Sequence, residues 1–358
     1  MSCLDDRVCV AVGGSGTVAA VDPGTSEPDL SGVRPAAVRS TDDGSTWTRL
    51  PLPAGDGVLN GVSCAGSVCE AVGERPGADG VQAMVLVSGD AGVTWHSTQA
   101  PPGTLTALAG VVCTGAGGCV VVGATLGLTG NPRAGVIYRT PNALQPTWQA
   151  ATLPGNISDL AGIACPTASD CYAVGAEPLP ASLAGPLGDF TTTLAALLAS
   201  RDGGTTWVAQ DVPEPGAAGG ESIAALDSII CASANSCVAG GGESVSDVPE
   251  WGGMVSTDDG GAQWTATPIP ATVLGALTGV ACVAGAADAC WAVGGRMLIS
   301  DVVPRPAPVT TQGTTTASHG ETGFPWWVLV LALAALGAAG VAIAVRRRAG
   351  GVPPASPE

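Results

Sequence analysis

Along residues 1–301 the apolar positions come in short runs, rich in Val, Ile and Thr and cut by Gly, Pro and Asp. Runs of this length and make-up predict strands. No stretch there sustains a long 3.6-residue period. The apolar text at 191–200 comes nearest to one, but its place in the repeat described below makes it a strand. At 324–345 the pattern changes to FPWWVLVLALAALGAAGVAIAV, with no charge between Glu321 and Arg346. Residues 325–345 would extend about 32 Å as a helix, enough for a hydrocarbon core of about 30 Å.

Two short signatures alternate along the strand-rich part. The first is a cysteine pair followed by a small apolar strand. It occurs at Cys3 and Cys9, Cys64 and Cys69, Cys113 and Cys119, Cys165 and Cys171, Cys231 and Cys237, and Cys282 and Cys290. The second is Ser/Thr-x-Asp-x-Gly-x-x-Trp. It occurs at Ser40, Asp42, Gly44 and Trp47; Ser88, Asp90, Gly92 and Trp95; Ser200, Asp202, Gly204 and Trp207; and Thr257, Asp259, Gly261 and Trp264. A worn copy, YRTPNALQPTW, ends at Trp148 without the Asp and the Gly. The five tryptophans are spaced 48, 53, 59 and 57 residues apart.

One unit of about fifty residues therefore reads as four short strands: GVSC, CEAVGE, AMVLVSGD and VTWHSTQ in the second copy. A repeat of this kind suggests one propeller blade per unit, whose faces only neighbouring blades can cover. The second signature resembles the Asp-box, the bacterial neuraminidase repeat of sialidases, sortilin-type receptors and related propellers. The resemblance covers roughly residues 1–301. It implies an all-β fold, a β-propeller of about six four-stranded blades. It also implies that the boxes are structural turns between third and fourth strands, with Asp accepting backbone N–H groups, Gly permitting positive φ and Trp packing between sheets.

All twelve cysteines fall into six local pairs. Four thiolates from units about fifty residues apart would not meet at one metal, and no His lies near them, so six disulfides are expected, with zinc or free thiols as the alternative. Bridges call for an oxidising compartment. The apolar segment agrees. Trp326 and Trp327 suit one membrane interface, and Arg346, Arg347 and Arg348 place the C-terminus in the cytoplasm. The expected organisation is a propeller ectodomain at 1–301, a Pro/Thr-rich stalk at 302–323, a transmembrane helix at 324–345 and a short cytoplasmic tail at 346–358. Localisation is then a single-pass anchor in a bacterial cell membrane with the propeller outside.

Composition narrows the partners. The 358 residues carry a formal charge of −17, and residues 1–323 hold 29 acidic residues against 10 Arg. Nucleic acid, which needs a basic face, is excluded as a partner. With two His residues, no metal or other cofactor is expected.

The start is incomplete as a repeat. Met1-Ser2-Cys3 aligns with the middle of the strand Val62-Ser63-Cys64, and residues 1–20 lack a signal-peptide pattern. We expect a start assigned too late, with a leader upstream, and further propeller upstream would make seven blades the alternative to six. The last unit ends after RMLISD (296–301) without a fourth strand or Trp.

No catalytic residue is assigned. The sialidase likeness makes a divergent exo-sialidase-like glycosidase the alternative function. Such enzymes use an arginine cluster and a Tyr nucleophile. Here the tyrosines are Tyr138, in the worn box, and Tyr172, at a position held elsewhere by Val10, Glu70, Val120, Val238 and Trp291. Arg39, Arg139 and Arg201 flank the boxes. The insertions at 14–36, 124–135, 176–190 and 242–252 share the connection between second and third strands, and loops on one rim commonly bind. The 242–252 loop offers Glu243, Asp247, Glu250 and Trp251. The expected function is a non-catalytic binding or assembly scaffold for an extracellular protein or glycan. A looser resemblance to photosystem-assembly-factor-like bacterial propellers, which are chaperone scaffolds, points the same way.

Overall fold

A computed structural model describes residues 1–5, 7–16, 30–78, 80–103, 106–115, 117–126, 133–178, 193–213, 223–243, 251–267, 276–282, 290–294 and 297–300. Every regular element among them is a strand. The first sheet is β1 (Ser2–Cys3), β2 (Cys9–Ser15), β3 (Arg34–Ser40) and β4 (Thr48–Arg49). The second is β5 (Val58–Ala65), β6 (Val68–Gly77), β7 (Gly80–Ser88) and β8 (His96–Ser97). The third is β9 (Thr106–Cys113), β10 (Cys119–Thr125), β11 (Ala134–Thr140) and β12 (Gln149–Ala150). The fourth is β13 (Asp159–Ala164), β14 (Cys171–Pro178), β15 (Thr193–Ser200) and β16 (Val208–Ala209). The fifth is β17 (Ala225–Cys231), β18 (Cys237–Glu243), β19 (Trp251–Thr257) and β20 (Thr265–Thr267). The sixth is β21 (Leu277–Cys282), β22 (Cys290–Gly294) and β23 (Met297–Ser300).

Strand order within each sheet follows the chain, every pairing is antiparallel, and five sheets have four strands and the sixth three among the described residues. The apolar run near 191–200 is strand β15, paired with β14 and β16. First strands run longer than the short motif suggests. Fourth strands shrink to two or three residues, because the Trp belongs to the turn before them and not to the strand.

First strands of successive sheets pack on one another, β5 on β9, β9 on β13, β13 on β17 and β17 on β21, which puts them on the inner side. The register shows why the apolar second strand ends in glycine. β5, β13, β17 and β21 each skip a residue after Leu59, Leu160, Leu226 or Leu277, and the β9–β10 pair shifts at Val122/Gly123. These irregularities are β-bulges. At each, a carbonyl presses on the facing glycine. A Cβ on Gly73, Gly123, Gly175 or Gly241 would lie 2.0 Å from a carbonyl oxygen of the first strand, and one on Gly294 would lie 2.1 Å from that of Ala276, just before β21. Any side chain there collides with backbone.

The core is a series of seams between sheets. One joins Val10 to Leu59, Ala71, Leu86 and Trp95. The next joins Val72, Val85 and Val87 to Leu108 and Val121. Val120 and Val122 then meet Ala173, Leu198 and Trp207. Tyr172 and Val174 meet Ala239, Val255 and Trp264. Val238 and Met254 meet Leu277 and Ala292. Each seam buries alternate residues of one sheet against its neighbour, so an isolated sheet would expose an apolar face. Six such sheets fit a β-propeller of about six blades. The expected stalk, membrane helix and tail (302–358) lie outside the described residues, among which no helix is long and apolar enough to cross a membrane.

Candidate functional site

Up-and-down strand order divides the molecule into two rims. Turns between first and second strands and between third and fourth strands share one rim. Connections between second and third strands share the other.

The first rim is pinned. The six cysteine pairs are disulfides: Cys3–Cys9, Cys64–Cys69, Cys113–Cys119, Cys165–Cys171, Cys231–Cys237 and Cys282–Cys290. Each staples first to second strand within one sheet, with Cα atoms 3.9 to 4.1 Å apart. In the chain-entropy model a loop this small contributes about 2 kcal/mol.

Beside each staple in the first five sheets stands the turn between third and fourth strands. In the second sheet Ser88 Oγ donates to Asp90 Oδ1 (2.7 Å) and accepts from Gly92 N (2.9 Å). Asp90 accepts from Thr94 N and Thr94 Oγ1 at 2.8 and 2.6 Å. Trp95 Nε1 donates to Gly92 O. Ser40, Asp42 and Thr46 repeat this in the first sheet, and Ser200, Asp202, Thr206 and Trp207 in the fourth. In the fifth, Thr257 and Asp259 keep it with Gln263 in place of the threonine. These bonds hold the carboxylates below their ordinary range. The hydroxyl of Thr46 leads for Asp42 and that of Thr94 for Asp90, the backbone of Thr206 for Asp202 (down to about 2), and the backbone of Gln263 for Asp259. A threonine stands before the Trp in four of the five copies, and in three of them it bonds the Asp.

A second link joins the two signatures. The residue before the turn glycine donates its N–H to the disulfide hairpin of the same sheet: Asp43 to Arg7 O, Ala91 to Ser67 O, Gly203 to Ser169 O and Gly260 to Asn235 O, with Ala143 to Gly117 O in the worn copy. In that copy Asn142 stands at the Asp position and its Oδ1 accepts from Leu144 N.

The turn glycine is also where neighbouring sheets touch. A Cβ on Gly92, Gly204 or Gly261, all at positive φ, would stand 2.7 Å from Val10, 3.2 Å from Val120 or 2.6 Å from Tyr172. The residue after the second cysteine therefore seats in the next sheet's turn. The three arginines beside the boxes cross the same seams. Arg39 Nε donates to Ala91 O at 3.2 Å, and Arg139 is bonded to Thr205 Oγ1. Arg201 donates to Gly260 O at 2.6 Å, to Tyr172 Oη at 2.8 Å and to Asp170 at 3.1 Å. Tyr172 is fully buried and its hydroxyl donates to Gly260 O. Tyr138 donates to Pro102 O. Neither tyrosine opens onto a cavity with clustered arginines.

The second rim carries the insertions. Every 2–3 connection of the first five sheets emerges there, and the register Glu243↔Trp251 closes the β18–β19 hairpin. Asp247 and Glu250 lie outside the described residues, as do 17–29, 127–132 and 179–190. Near this rim a depression of about 240 Å³ is lined by Arg34, Arg49, Pro51, Pro53 and Gly55. Arg34 pairs with Asp56 at 3.3 Å and Arg49 donates to Ser15 at 2.9 Å. Arg133, just before β11, pairs with Asp159 at the start of β13 at 2.7 Å. Asp227 is pushed up to about 6, first by burial and then by the charge of Asp159. Among the described residues no group of three or more His, Cys, Asp or Glu is placed to hold a metal ion.

No protein-family model matches the chain. No curated protein matches it either. Solved structures do. YCF48 bound to D1 peptide is 15% identical, with 86% of this chain and 92% of that one covered and a TM-score of 0.43. YCF48 from Cyanidioschyzon merolae is 14% identical, with coverage of 74% and 87% and a TM-score of 0.39. The GH74 xyloglucanase from Xanthomonas campestris is 16% identical at a TM-score of 0.52 over 76% of this chain, which spans 42% of the enzyme's length. Taken with the repeated four-stranded sheets, the last likeness shows the fold, a β-propeller.

Proposed function

We propose that the protein is a membrane-anchored propeller of the Asp-box type that serves as a binding or assembly scaffold outside the cell. Residues 324–345 are the anchor, 302–323 the stalk and 346–358 a cytoplasmic tail. The ligand is an extracellular protein or glycan. The observation that carries this reading is the division of labour between rims. One rim is stitched by disulfides and Asp turns, whereas all the long insertions emerge on the other. Binding surfaces are commonly built from variable loops held by a rigid frame.

The test is a pull-down from the cell surface together with a glycan array. Both use the full chain and a variant whose 244–250 segment is replaced by Gly-Ser. Capture that depends on the loop supports the reading, and identical capture by both proteins counts against it. The exo-sialidase alternative fares worse, because Tyr172, its candidate nucleophile, is sealed in a seam with its hydroxyl engaged. Turnover of a fluorogenic sialoside, abolished by Tyr172→Phe, would restore it.

A further inference from the structure

Two departures from the repeat coincide at the seam between the second and third sheets. β6 carries Glu70 at the place held by Val10, Val120, Tyr172, Val238 and Trp291. Its side chain is fully buried, and neither carboxyl oxygen has a hydrogen-bond partner. Val68 and Val72 share its strand face and belong to the apolar cluster of this seam, with Val87, Cys119 and Ala143. The turn that receives it is the worn one, whose Ala143 and Leu144 replace the left-handed residues of the other four turns. Val87 is the cross-strand partner of Glu70, an uncharged place like Ala199 beside Tyr172 and Ser256 beside Val238, whereas Arg39 partners Val10 and Arg139 partners Val120.

Among the described residues nothing nearby offers a counter-charge. β5, β7, β9, β10 and the turn at 141–148 contain no charged residue. On β11, Arg139 is bonded to Gln149 and Thr205, toward the fourth sheet, and Tyr138 faces the seam with its hydroxyl on Pro102 O. On β8, His96 is cross-strand from Val87 and exposed. On β6 itself, Glu74 and Arg75 lie toward the opposite end of the strand.

We propose that this seam is a pH-sensitive joint: the neutral carboxyl of Glu70 allows the second and third sheets to close, and its ionisation parts them. A buried carboxylate without partners is costly, so the group keeps its proton while the seam is shut. Burial pushes Glu70 from an ordinary 4.5 up to about 8. The folded state therefore holds the proton more tightly than the unfolded chain. The stability of the seam is fully present below about pH 4.5, declines as pH rises, and is lost through about pH 8.

The experiment is amide hydrogen exchange on the full chain in detergent from pH 5 to 9, with rates corrected for intrinsic chemistry. Peptides covering 106–113 and 140–148 are expected to exchange at least tenfold faster at pH 9 than at pH 6, whereas 171–178 and 252–257 hold steady. Glu70→Val supplies the residue used at three other seams and is expected to abolish the difference. Glu70→Gln does the same, and keeps the test available should the valine variant not fold. Equal protection at all seams across the range would overturn the proposal. So would a pH response that survives in Glu70→Gln.

Discussion

The ring of Tyr172 meets that of Trp264 edge to face, with centroids 5.7 Å apart and planes at 77°. One residue belongs to the fourth sheet and the other to the fifth, so the contact is a joint between blades. Arg201 lies over the same ring at 5.3 Å. Tyr172→Phe keeps the ring contact and removes a hydroxyl that donates to Gly260 O and accepts from Arg201. The expected loss is about 1–3 kcal/mol in urea denaturation. Tyr172→Ala is expected to lose about 3–5 kcal/mol, as other large aromatic truncations do. Equal stability of Tyr172→Phe and the parent would show that the hydroxyl contributes nothing.

The turn carboxylates set the acid limb of stability. Asp42, Asp90, Asp202 and Asp259 all sit below the ordinary 3.8 in the folded protein. A depressed folded value means that the stabilisation is full above about pH 4 and is lost as pH falls through the folded value, about 2 for Asp202. Thermal midpoints measured from pH 5 to pH 2 should fall, and Asp202→Asn should flatten part of that decline. An unchanged slope in the variant would contradict the assignment.

Ala91 adopts φ 60°, a conformation that is strained for any residue with a Cβ, and the fourth and fifth sheets use Gly203 and Gly260 at the same place. Ala91→Gly relieves roughly 1–2 kcal/mol of strain and loses part of it to the freer unfolded chain. A net gain of about 0.5–1 kcal/mol is expected in chemical denaturation. The converse change, Gly203→Ala, also brings a Cβ to 2.9 Å from Ala168 O and should cost more than the first change gains.

Two glycines that look alike in the sequence should behave differently. A Cβ on Gly175 would meet Asp159 O at 2.0 Å, whereas one on Gly13, at the matching place in the first sheet, meets nothing within 4 Å. Gly175→Ala is therefore expected to cost about 3 kcal/mol or more by overpacking against backbone. Gly13→Ala should be neutral or slightly stabilising. Equal losses at the two sites would show that the bulged carbonyl is not what selects glycine.

Much of this fold is legible in the residues because its determinants are local. The cysteines of each pair are five to eight positions apart, so their pairing needed only the hairpin between them. The small apolar second strand recurs with its glycine, and the bulge explains that glycine once the first strand is in place. What the residues hide are relations across seams. Arg39 and Ala91 are 52 positions apart, and Arg139 and Thr205 are 66. Neither distance repeats a motif, so the arginines read only as neighbours of a turn. Glu70 is visible as the acidic member of a variable column, but its isolation depends on β7 and on the third sheet. The threonines 46, 94 and 206 could have been found. A threonine precedes the Trp in four of the five copies, at 46, 94, 147 and 206, and in three of them it bonds the Asp four residues before it.

The hydrogen bond from each Asp turn to the disulfide hairpin beside it stays inside a single sheet, whereas the seams between sheets are apolar, and at three of them one side chain (Val10, Val120 or Tyr172) seats against the next sheet's turn glycine. A unit thus carries its own internal stitching, together with a plug and socket that index it within an apolar seam to its neighbours. Such a cassette can be duplicated, lost or transplanted within the array when plug and socket match, and the pairing of Glu70 with the worn turn marks the place where a transplanted unit would first fail to fit.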